Sequence, residues 1–133
     1  MISDNRPLSP HLQVYRLPML AWLSITHRIT GMVLSITVIL LPVWLWLLAE
    51  GETAYTIAER FISAWYGQLL LLAISFSLIF HTLTGIRHLV WDTGLNLEVR
   101  AAEKTGYLVI ILAILLTALF WYLVCTRVCG GAA

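Results

Sequence analysis

Charge is what this chain has least of. Only 11% of its 133 residues are Asp, Glu, Lys or Arg, where a soluble domain carries about 25%. Hydrophobic residues make up 60%, and the mean hydropathy is +0.88. So few charges cannot cover a water-facing surface, which excludes a soluble domain and leaves an integral membrane protein. The formal net charge is +1, so no charged surface points to nucleic acid. Cysteine is also scarce. Cys125 and Cys129 stand four apart with no second pair to close a metal site, and are expected to be unpaired thiols. Residues 1–19 contain Arg6, Arg16 and three prolines but no apolar targeting core, and no Arg- and Ser-rich presequence. A bacterial plasma membrane is the expected location, with a processed organellar chain as the alternative. No internal repeat is found.

What is present is three long apolar runs. They predict an all-α membrane protein with three transmembrane helices, up-down-up, plus a short N-terminal interfacial helix. Within the N-terminal segment 1–19, Ser9 and Pro10 read as N-cap and first position of that helix, which ends near Arg16, before Pro18. His11, on this segment, reads as a solvated surface histidine. Span one covers 20–49, with Pro42 tolerated as a kink. An outer loop, 50–64, has room for a short helical stretch. Span two covers 65–91 and stops at Asp92–Asn96, with Gly94 as the helix terminator. An inner loop, 92–106, carries the charged stretch Glu98–Lys104. Span three covers 107–126, and 127–133 is a tail. Arg6, Arg16, Arg28, Arg87, Arg100 and Lys104 fall on one side, Arg60 and Arg127 on the other. That bias places the N-terminus in the cytoplasm.

The residues that could carry chemistry cluster at the inner ends of spans one and two. Ser77, His81, Thr84, Gly85 and His88 share one helix face. An ionisable side chain such as His81 inside a span is costly, so it marks a functional site by default. A haem fits this pattern, with His81 on the iron. Arg87 lies six residues nearer the membrane surface, roughly 9 Å by helix rise, which leaves the iron in oil and the propionates at the interface. His27, Arg28 and His88 would then meet the propionates, whose burial without such partners is expensive. A plainer alternative is a hydrogen bond from His81 to a Ser or Thr of a neighbouring helix. His27, Arg28, Arg87 and His88 would in that case be snorkelling interfacial residues. Ser24 could simply bond its own helix. On that reading the chain is a non-redox scaffold or a small transporter subunit.

Two motifs carry a resemblance. Arg6-Pro7-Leu8-Ser9-Pro10-His11-Leu12 followed by Ser24-Ile25-Thr26-His27-Arg28-Ile29-Thr30-Gly31 resembles the cytochrome b membrane-anchor subunit of succinate dehydrogenase. So does His81-x-x-x-Gly85-x-Arg87-His88-Leu89-x-x-Asp92. Thr26 departs from the pattern, where an apolar residue is common. The resemblance implies that His81 supplies one axial ligand to the iron of haem b and that a second hydrophobic subunit supplies the other. It also implies that Ser24 and Arg28 help bind ubiquinone, and that His27, Arg28 and His88 lie near the propionates. Its partners would be the second anchor subunit, an iron–sulfur subunit and a flavoprotein, all at the lipid bilayer. No catalytic residue is expected in this chain, because succinate is oxidised in the flavoprotein. Ser24 can donate one hydrogen bond to a quinone carbonyl. Arg28 can stabilise negative charge developing on a quinone oxygen. Asp92 has no assigned role beyond a cap or a salt bridge to Arg87 or Arg28.

Overall fold

A computed structural model describes residues 15–130. Four helices follow one another: α1 (Met19–Ala49), α2 (Glu52–Ser63), α3 (Trp65–Asp92) and α4 (Val99–Gly130). The helices α1, α3 and α4 are long and apolar enough to cross a membrane. The expected helix from Ser9, with His11, lies outside the described residues apart from Tyr15 and Arg16, which are not helical. Cys129 is likewise beyond description as a side chain, while Cys125 is free and exposed.

Pro42 does not end α1. In the outer loop, where the sequence left room for a short helical stretch, twelve residues form α2. Its Ala54, Ala58, Phe61 and Ile62 recur at helical spacing. Phe61 and Ile62 overlie an apolar groove of about 330 Å³ formed with Leu40, Leu41 and Trp44 of α1 and Leu70 of α3. Gln68 Nε2 of α3 donates to the Ile62 carbonyl at 3.0 Å, tying the two helices at their junction.

At the opposite end α3 stops as the sequence suggested. Gly94 takes φ +80°, a left-handed backbone that suits glycine, and its N–H donates to the Trp91 carbonyl at 2.8 Å. The connection that follows is shorter than the expected 92–106. Helix α4 begins at Val99, so Glu98–Lys104 adds charged turns to α4 instead of forming a loop. Charge alone does not break a helix when Ala101, Ala102, Glu103 and Lys104 all favour one.

The core runs along the line where α1, α3 and α4 meet. Leu23, Phe80, Val109 and Ala113 are buried there, with Met19, Phe76, Ile79 and Leu83 against them. Polar clasps join α3 to α4. Trp121 Nε1 donates to Ser75 Oγ at 2.9 Å. Near the Asp92 end, Arg87 is buried and donates to Thr105 Oγ1 at 3.1 Å and to the Ala102 carbonyl at 2.8 Å. Helix α1 contributes only Leu23 and Thr30 to the interior. Most of its surface is therefore free to meet lipid or another chain.

Candidate functional site

Helices α1 and α3 run antiparallel, so residues equally far from the Met19 and Asp92 ends come together. Ser24 meets the level of Arg87 and His88, His27 that of Thr84, and Thr30 and Gly31 that of His81. The contacts follow this register. The His27 and His81 rings stack with centroids 3.9 Å apart and planes 9° from parallel. His88 lies 5.2 Å from His27 on the same stack. Three of the expected cofactor residues, His27, His81 and His88, are thus side by side.

Each ring is held by Nδ1. His81 Nδ1 lies 3.1 Å from the His27 carbonyl and 3.3 Å from Thr30 Oγ1. A carbonyl can only accept, so Nδ1 carries the hydrogen. Thr30 directs its own hydroxyl hydrogen to the His27 carbonyl at 2.9 Å, which leaves its oxygen free to accept from His81. The expected alternative, a bond from His81 to a neighbouring Thr, is therefore made. It uses only one ring nitrogen. Nε2 keeps its lone pair, which is the state an iron-ligating imidazole needs. His88 Nδ1 donates to the Thr84 carbonyl at 2.7 Å, so its Nε2 is also left over.

Gly31 makes this fit possible. A Cβ there would lie 3.0 Å from His81 Cε1 and 3.5 Å from Nδ1. A side chain there would crowd the imidazole, which would have to give by a few tenths of an ångström. Gly85 faces open space, with nothing within 4 Å of an added Cβ. A flat group or a neighbouring helix has room beside it.

Ser24 is exposed and lines a pocket of about 140 Å³ with Leu20, Leu23, Thr84, Arg87, His88 and Trp91. Trp91 Nε1 is buried without a hydrogen-bond acceptor. Arg28 is exposed and does not line that pocket. Its spacing of four from Ser24 puts both on one face of α1. Arg87 lines the same pocket as Ser24, but its hydrogen bonds go to α4. Its guanidinium reaches α4 and lies 3.9 Å over the Trp91 ring, so it does not snorkel and its Nε and Nη2 serve α4 rather than Asp92.

Thr30 and Thr84 were not singled out as ligand-holding residues. The signal was present: Ser24, His27 and Thr30 recur every three residues, a polar stripe along an otherwise apolar helix. Among the described residues, no three His, Cys, Asp or Glu side chains are arranged to hold a bare metal ion. A haem, which brings four nitrogens of its own and asks the protein for axial ligands, fits this donor set.

A family model described as succinate dehydrogenase/fumarate reductase transmembrane subunit matches residues 2–120. The chain is 38% identical over 120 residues to a succinate dehydrogenase cytochrome b556 subunit of Rickettsia felis, covering 90% of this chain and 94% of that one. It is 40% identical over 115 residues to the corresponding subunit of Paracoccus denitrificans, covering 86% and 88%. Similarity extends to the mitochondrial succinate dehydrogenase cytochrome b560 subunit of Homo sapiens, at 37% over 118 residues, covering 86% and 69%.

Proposed function

The chain belongs to the succinate dehydrogenase/fumarate reductase transmembrane subunit family, and from that premise we propose that it binds haem b together with a second hydrophobic subunit and helps form a ubiquinone site. It is a membrane-anchor subunit, part of an oxidoreductase complex and not an enzyme alone. The observation that carries the haem reading is the state of His81. Its Nδ1–H is fixed by α1, and its Nε2 is free to meet iron. Bound there, the haem would supply a one-electron carrier within the span.

The residues of this chain do the rest. Gly31 lets the His81 ring lie against α1, and the His27 carbonyl fixes its tautomer. A donated Nδ1–H also raises the basicity of Nε2. His27 and His88, nearer the Asp92 end, would meet the propionates by donating Nε2–H as imidazolium, and the Arg28 guanidinium would donate to them as well. At the same end, Ser24 donates to one quinone carbonyl, and Arg28 favours the charge that builds on a quinone oxygen. Both are exposed on α1. This supports a site closed by other chains, with the iron–sulfur subunit delivering electrons from a flavoprotein. The Lys and Arg bias supports a cytoplasmic N-terminus in a bacterial plasma membrane.

The test is a reduced-minus-oxidised spectrum of the purified complex. A b-type Soret and alpha band is expected. A complex with succinate dehydrogenase activity toward dyes but no such band would contradict the haem reading.

A further inference from the structure

Thr84 is the most deeply buried sizeable side chain of the described residues, 1% exposed. Its hydroxyl has one hydrogen, and that hydrogen is committed to α3. Oγ1 donates to the Phe80 carbonyl at 2.8 Å, with the His81 carbonyl sharing it at 3.0 Å. What Oγ1 offers toward α1 is therefore a lone pair. His27 Nδ1 lies 2.5 Å from it. With no hydrogen left on the hydroxyl for this contact, the imidazole is the donor.

We propose that Thr84 is a positioning residue that accepts the Nδ1–H of His27 and so leaves Nε2, on the far edge of the ring, to donate as the second N–H of an imidazolium to an acidic partner outside this chain. The lock is reciprocal. Residue 27 holds His81 through its carbonyl, and residue 84 holds His27 through its hydroxyl. Thr84 also holds His88, but through its main-chain carbonyl. One residue thus orients two imidazoles by two chemically separate groups. A threonine that merely returns its hydroxyl to its own helix, the common case, would leave His27 indifferent to its loss.

The separation makes the inference testable. Thr84→Val removes the acceptor for His27 and keeps the carbonyl for His88. In the assembled complex, diethyl pyrocarbonate modification of each histidine is followed by mass spectrometry. The His27 rate should rise about fivefold in Thr84→Val, the factor matching one hydrogen bond of about 1 kcal/mol. The His88 rate should not change, and Thr84→Ser should keep His27 at the wild-type rate. Unchanged His27 labelling in Thr84→Val overturns the proposal. So does an equal rise at His27 and His88, or a Thr84→Ser complex that behaves like Thr84→Val. If Thr84→Val does not assemble, Thr84→Ala replaces it in the same comparison. The inference rests on the haem reading only for the identity of the acidic partner, a propionate. A wild-type complex without haem would sink that reading and leave the labelling contrast intact.

Discussion

Replacing Gly31 by alanine adds one methyl group where the structure has no space. The new Cβ would stand 3.0 Å from His81 Cε1. Carbon atoms rest comfortably at about 3.5–4.0 Å, so the ring or α1 must give by a few tenths of an ångström. The His81 Nδ1 bond to the His27 carbonyl is 3.1 Å. Stretched by that amount it moves to the long end of the hydrogen-bond range and weakens. Overpacking of this kind costs about 1–3 kcal/mol. Because it falls on the proposed axial ligand, haem retention should weaken between about fivefold and about a hundredfold. The assay is haem per flavin in the purified complex, by pyridine haemochrome, with haem loss followed over time. Met32→Ala is the control, since Met32 is 66% exposed on the neighbouring position. A Gly31→Ala complex that holds haem as firmly as the Met32→Ala control would refute the reasoning.

Other outcomes follow from the same geometry. Arg28→Leu should depress quinone reduction while succinate-driven dye reduction persists; equal loss of both would remove Arg28 from the quinone site. Ser24→Ala should raise the apparent quinone KM about two- to tenfold, the value of one hydrogen bond, with assembly intact. An unchanged KM would leave Ser24 without a role there. Arg87→Met should loosen α3 from α4 by removing the two hydrogen bonds that cross between them, costing about 1–3 kcal/mol. Thermal unfolding in detergent should report a lower midpoint, and an unchanged midpoint would mean that the buried clasp adds nothing.

The spans were legible because membrane insertion depends on run length and apolarity, and both are printed in the sequence. Helix α2 was less so. Its alternation of Glu59 and Arg60 with Phe61 and Ile62 is a short amphipathic pattern, easily read as a loop between two spans. The start of α4 was placed late for a related reason: Glu98, Arg100, Glu103 and Lys104 mark the edge of the oil, and a helix does not have to end there. At the site, helical spacing was enough to put His81 and His88 on one face of α3, two turns apart, and the antiparallel register sets His27 between them. The tautomers were not legible. They depend on which atom of Thr84 faces α1 and on the carbonyl of residue 27, and neither is encoded by residue type alone. The partners of Arg87 were not legible, because nothing in α3 announces that Thr105 and the Ala102 carbonyl lie behind it.

The central claim is that the His81 imidazole is an iron ligand. It is tested most directly in His81→Ala, by recording the reduced-minus-oxidised spectrum of the assembled complex with and without added imidazole. The account predicts that the b-type bands of the wild type are lost or altered in the variant and return when imidazole fills the vacated position. Bands identical to wild type in His81→Ala, with no response to imidazole, would contradict it.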